Sequence, residues 1–301
     1  MKTSNFFLIA LMFAIFDVGC TEEGPMGPAG ADGTNGTNGT NGSNGTNGSN
    51  GTDGYGAVTA ADQASYDDAV GSRGGILYDN WTSTEAAISN IPTEVTAKPE
   101  FFRCKACHAW DGLGNKASYI NRPGTATRPN CASSDLRAYV GSHNIKETFN
   151  AVKNMGGRLK STNSYSDVMP DYSTLISDSD IWDLVKYLFE ETVNVDLLYV
   201  YQTAGIYPTG TITYSSIGKN GVAASGDTYY SSNCAVCHGT DGTAKDLGGK
   251  TLGNFGRTKP NELWHKVKFG QLGSTMGGFN STVQELKDLY TALQDNVKYP
   301  D

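Results

Sequence analysis

Apolar residues follow three different regimes along the 301-residue chain. Residues 6–16 form an unbroken apolar run behind Lys2. A bilayer-spanning helix needs about 20 such residues, so this run is too short to span and reads as an export signal. From residue 24 to residue 54 every third position is glycine, and hydrophobic periodicity disappears. Beyond residue 56 apolar positions return at helical spacing. Ile181, Leu184, Val185 and Leu188 share one face of a helix predicted over 179–191, with Ser177 or Asp178 placed to cap it. Leu286, Leu289, Tyr290 and Leu293 do the same for a helix over 282–293, where Ser281 and Gln284 have capping-box spacing. Shorter helices are predicted over 147–153 and 262–268. Residues 193–222 mix aromatic and β-branched positions with Gly and Pro, which suits a connector containing a short hairpin.

The order of these features repeats. Gly74-Gly75-Ile76-Leu77-Tyr78 precedes Cys104-Lys105-Ala106-Cys107-His108, then the helix over 147–153, then Met169-Pro170-Asp171-Tyr172, then the helix over 179–191. Gly226-Asp227-Thr228-Tyr229-Tyr230 precedes Cys234-Ala235-Val236-Cys237-His238, then the helix over 262–268, then Met276-Gly277-Gly278-Phe279, then the last helix. The first copy carries extra loop after Trp81 and after His108. Two units of this size predict tandem domains rather than a solenoid.

The N-terminus has its own signals. Val18-Gly19-Cys20 follows the apolar run and resembles the lipobox of bacterial lipoproteins, although Asp17 stands where that pattern has an apolar residue. The resemblance implies that Cys20 is diacylated and becomes the mature N-terminus. The glycine period of three is the collagen signature, since only glycine fits the axis of a triple helix. Prolines occur only in its first two triplets, so a flexible tether competes with a homotrimeric stalk.

The chemistry sits in Cys-x-x-Cys-His, the attachment signature of c-type haem. Two thiols must reach two vinyl groups on one side of a porphyrin, and the next histidine must turn under the iron. One helical turn does this. Four cysteines and two histidines could also build a zinc site, and a thioredoxin-like pair needs a βαβ context that is absent. Two motifs, each with the same downstream methionine and terminal helix, favour haem. Met169 and Met276 are matched in position, each followed three places on by an aromatic. A thioether is a soft ligand that favours Fe(II). Met155, His143 and His265 are weaker candidates. Trp264 and Phe149 occupy matched places that suit packing on a haem edge. Cys131 is left over, either buried and inert or available for an interchain disulfide.

Both copies resemble class I cytochromes c. The resemblance covers about two thirds of the chain and implies an all-α fold of two tandem domains, two haem c groups and electron transfer. Covalent attachment through Cys104, Cys107, Cys234 and Cys237 is implied, with iron held axially by His108 and Met169, and by His238 and Met276. The family sets a glycine of its first helix against an aromatic of its last, which pairs Gly75 with Tyr187 and Gly226 with Tyr290.

Charge adds an exclusion. Thirty-one acidic against 23 basic residues give a net charge of −8, with no basic stripe for nucleic acid. The expected organisation is 1–20 signal and lipobox, 21–55 Gly-x-y segment, 56–195 first cytochrome c domain, 196–222 linker and 223–301 second cytochrome c domain. The expected protein is an extracytoplasmic carrier, an outer-membrane lipoprotein anchored by its N-terminal lipid. It would pass electrons to redox partner proteins or an extracellular acceptor. A dihaem enzyme, peroxidase-like or thiosulfate-oxidising, is the first alternative; a surface protein assembled through its stalk is the second.

Overall fold

The computed structural model describes residues 56–83, 91–157 and 168–301. The chain divides into Met1–Ser49 and Asn50–Asp301. The export signal, Cys20 and the Gly-x-y segment lie outside the described residues.

The first half of the Asn50–Asp301 unit runs α1 (Ala60–Asp68), α2 (Gly71–Asn80), α3 (Thr93–Ala97), α4 (Cys104–His108), α5 (Leu136–Ser142), α6 (Ile145–Lys153) and α7 (Asp178–Lys186). A π turn, Tyr187–Glu191, extends α7. The hairpin β1 (Val200–Ala204) and β2 (Thr211–Ser215) follows, paired antiparallel from Val200↔Ser215 to Ala204↔Thr211. The second half runs α8 (Ala223–Asn233), α9 (Ala235–His238), α10 (Leu252–Thr258), α11 (Pro260–Phe269) and α12 (Val283–Ala292). The fold is mostly helical, and the hairpin falls within the expected connector.

Local chemistry starts these helices. Ser177 caps α7 by accepting from the Asp180 amide. A capping box opens α12, but it uses Thr282 and Glu285 rather than Ser281 and Gln284, one residue further on. Ser281 instead has its hydroxyl 2.5 Å from that of Tyr229. Pro260 stands in the first turn of α11, where its missing N–H costs no helical hydrogen bond.

Each half crosses its first long helix against its last through a glycine. At Gly74 on α2 a Cβ would run into the Asp183 carbonyl and the Tyr187 Cβ. At Gly226 on α8 it would run into the Asp288 carbonyl and the Ala292 Cβ. The expected pairings shift accordingly. Tyr187 meets Gly74, one residue before Gly75, and Gly226 meets Asp288 and Ala292 rather than Tyr290. Tyr290 works elsewhere: its hydroxyl accepts from the Trp264 amide at 2.9 Å and donates to the Pro260 carbonyl at 2.5 Å, pinning the start of α11. The same aspartates cap the partner helices. Asp183 accepts from the Val70 amide at 2.6 Å and Asp288 from the Val222 amide at 2.8 Å.

The two halves share one apolar core. Leu77, Ile181, Val185 and Tyr187 belong to the same packed cluster as Leu263, Val267, Leu286 and Leu293. α11 lies on α2. Gly75 faces the Phe269 ring, to which an added Cβ would come within 2.5 Å. One turn later Asp79 receives Lys266 Nζ at 3.0 Å, in an ion pair almost closed to water. The hairpin also contacts both halves, with Tyr207 accepting from the Cys131 amide and Tyr214 donating to Asn261.

Candidate haem-binding sites

Cys104, Cys107 and His108 lie on the single turn of α4, and Cys237 and His238 on that of α9, with Cys234 as its N-cap. In both halves the residue after the histidine reverses the chain at positive φ, 61° at Ala109 and 79° at Gly239. Its carbonyl accepts a 2.6 Å hydrogen bond from a tyrosine four residues after the crossing glycine, Tyr78 in one half and Tyr230 in the other. The turn that carries each histidine is thereby tied to the helix crossing.

None of the four cysteines is in a disulfide. Burial, with the second thiol of each motif beside it, pushes Cys104 up to about 12 and Cys234 up to about 11. Burial pushes the His108 imidazole down to about 4, and burial with Lys245 nearby lowers His238. A neutral imidazole is the form that binds a metal. His108 Nδ1 is 3.0 Å from the Ser134 hydroxyl, which fixes the ring and leaves Nε2 free for a ligand. His238 Nδ1 is buried without a hydrogen-bond partner among the described residues. Nothing in the sequence singled out Ser134, because it is 26 residues from His108 and reaches it through a loop.

The methionines sit in loops anchored alike. Asn154, the left-handed C-cap of α6, donates to the Met169 carbonyl at 2.8 Å and the Pro170 carbonyl at 3.0 Å. The Tyr172 amide bonds the Lys153 carbonyl at 2.9 Å. The Tyr172 hydroxyl bonds the Phe102 carbonyl at 2.7 Å, two residues before Cys104. The Met169 loop is therefore tied to the approach to α4. In the second half the Gln271 amide donates to the Met276 carbonyl at 3.1 Å, and the Phe279 amide to the Val267 carbonyl at 2.9 Å. Both methionines are half-buried, whereas Met155 is 69% exposed.

The other candidates fall elsewhere. His143 stacks on Tyr139 with ring centroids 3.9 Å apart and has Nδ1 2.9 Å from the Tyr139 carbonyl. His265 is wholly buried among rings of both halves. Phe149 stacks on Trp182 at 4.4 Å, whereas Trp264 lines a small closed cavity with Trp110, Asp111 and Tyr187. Their matched places in the sequence do not give matched surroundings. Cys131 is 6% exposed, its thiol beside the Arg122 carbonyl at 3.4 Å, so it is not presented to another chain. Among the described residues no three His, Cys, Asp or Glu side chains gather where they could hold a metal ion. Each Cys-x-x-Cys-His turn instead brings together two thiols and a neutral imidazole, chemistry that suits a covalently held haem.

The known families agree with this chemistry. Residues 98–190 match the family model described as cytochrome c, and residues 221–291 match that of cytochrome c oxidase, cbb3-type, subunit III. The chain carries cytochrome c domains, which define a c-type cytochrome, a protein that transfers electrons through covalently attached haem. No curated protein and no solved structure matches the chain.

Proposed function

We propose that the protein is an extracytoplasmic electron carrier holding two haem c groups, one in each half. The observation that carries this reading is the repeated Cys-x-x-Cys-His turn, each copy within a segment matching a cytochrome c family model. Cys104 and Cys107 form one pair of thioether bonds, and Cys234 and Cys237 the other. His108 and Met169 complete one iron; His238 and Met276 complete the second. A bound haem c supplies reversible one-electron chemistry between Fe(II) and Fe(III).

The chain's own residues set the terms of that chemistry. Ser134 orients the His108 ring, burial keeps both imidazoles neutral, and the pinned methionine loops offer a thioether that favours Fe(II) and raises the potential. Fully ligated irons leave no position for a substrate, so the protein carries electrons between redox partners or to an extracellular acceptor. The organisation that goes with this reading has domains at 56–195 and 223–301, joined by 196–222. Cys20 carries the lipid that anchors the chain to the outer membrane. The Gly-x-y segment, as tether or three-chain stalk, holds the haem domains away from the lipid surface.

Acid–acetone treatment followed by intact mass tests the reading. Two haem masses should stay with the chain. Haem lost to the solvent, or a mass with only one, overturns it. A native protein with a high-spin iron that turns over peroxide would replace the carrier by a dihaem peroxidase.

A further inference from the structure

We propose that electrons pass between the two halves across the contact of His265 with Trp110, and that the seam between α2 and α11 exists to keep that contact closed. The proposal rests on the two-haem reading above and assigns the route within it.

The seam is built to resist opening. Gly75 leaves no room for a side chain against the Phe269 ring. Asp79, 2% exposed, binds Lys266 from the second half together with Arg103 and Lys105 from the first. Lys268 reaches Glu191 across the same face at 2.8 Å. Opening the seam would strip Lys266 and Lys268 of their carboxylates and leave Asp79 with only Arg103 and Lys105.

Within it lies a run of packed rings joined at each end by backbone. Trp110 stands two residues after His108 and is 2% exposed, with Lys105 Nζ 4.0 Å and Lys266 Nζ 4.3 Å from its ring centre. The His265 ring lies 4.6 Å from Trp110 and 4.8 Å from Phe269, centre to centre. Phe269 ends α11; Gly270 follows, then Gln271, whose amide binds the Met276 carbonyl at 3.1 Å. The run thus leads from the histidine proposed to hold one iron to the methionine proposed to hold the other.

His265 is an expensive way to fill this space. It is 0% exposed, and its ring nitrogens have no well-formed hydrogen bond, only a weak approach to the Gly75 backbone. Burying a poorly paired polar ring costs stability, whereas a phenyl ring would pack without that cost. Stability alone does not account for an imidazole here. The step itself is simple: one electron leaves Fe(II) of one half and arrives at Fe(III) of the other. No bond forms or breaks, no proton moves, and Trp110 and His265 keep their oxidation state. Tunnelling of this kind weakens where a void interrupts packed atoms, so the ring at position 265 acts by filling the gap.

The test compares His265→Ala, His265→Phe and Trp110→Leu in the full-length protein carrying both haems. Radiolytic reduction by less than one electron per molecule gives the rate at which the electron redistributes between haems. Pulsed EPR on the ferric protein gives the haem–haem distance, and hydrogen exchange over 71–80 and 260–269 reports the seam. Several-fold slower redistribution in His265→Ala and Trp110→Leu is expected, with distance, potentials and exchange unchanged and with the wild-type rate in His265→Phe. Unchanged rates in both His265→Ala and Trp110→Leu place the route elsewhere. So does slowing that appears only where the distance or the exchange has changed. A wild-type protein without two covalent haems would instead defeat the functional reading, and the mass measurement detects that separately.

Discussion

Asp79 holds more of the molecule together than its place in the sequence suggests. Three cations converge on one carboxylate that is almost fully enclosed: Arg103, Lys105 and Lys266. Burial alone would raise its pKa, but Lys105, Lys266 and Arg103 outweigh burial and hold it well below the usual carboxylate range. Removing the charge leaves three partly buried cations facing one another. Asp79→Asn should therefore cost about 3–5 kcal/mol of unfolding free energy at pH 7, measured by denaturant titration. The sign with pH follows from the lowered pKa. The stability Asp79 supplies is complete above its unfolded value of 3.8 and fades as pH falls through the lower folded value. The gap between wild type and variant should accordingly narrow below pH 3.8. None of this was legible beforehand, because Lys266 lies 187 residues from Asp79 and no local pattern links them.

Among the elements, those whose chemistry is local were the most readable. The one-turn helices of the haem motifs, the middle helices and the terminal helices all stand where periodicity and caps put them. Two errors were of one residue: the capping box of α12 moved from Ser281 to Thr282, and the crossing glycine from Gly75 to Gly74; the partner of Gly226 moved two residues from Tyr290, to Asp288 and Ala292. Both concern neighbours of similar type, and only the tertiary crossing tells them apart. The methionine loops were found by repetition, but their anchors, Asn154 and Gln271, were not, since a side-chain amide and a backbone amide do the same work. These loops carry a prediction. Met169→Ala should open the first iron to water or carbon monoxide and lower its potential, seen as loss of the sulfur-to-iron charge-transfer band. The second haem should keep its spectrum. A low-spin spectrum that survives the substitution would show that Met169 is not the ligand.

At the scale of the whole molecule, the repeat in the sequence suggested two tandem domains joined by a connector. The two halves pack against each other, and the apolar cluster runs through both. Periodicity cannot reveal this, because a helix face buried against a neighbouring domain looks the same as one buried within its own. Attachment to the membrane is a separate matter that rests on the N-terminal sequence. Among the described residues no helix is long and apolar enough to cross a membrane. Cys20→Ala should leave the signal uncleaved or release the protein from membranes, read by fractionation and N-terminal mass. Unchanged fractionation and mass would remove the lipid anchor from the proposal.

The seam between α2 and α11 also governs how such a protein can change by descent. Domains strung on a loose connector can be shuffled, duplicated or lost with little harm to their neighbours. Here Gly75 tolerates no side chain opposite Phe269, and the nearly enclosed Lys266 of one half takes its counter-charge from Asp79 of the other. A recombination that brought in a different second half would leave Asp79 with only the two cations of its own half and Trp110 without its cover. Exchanging one half alone should therefore disturb the seam, whereas exchanging both together should preserve it.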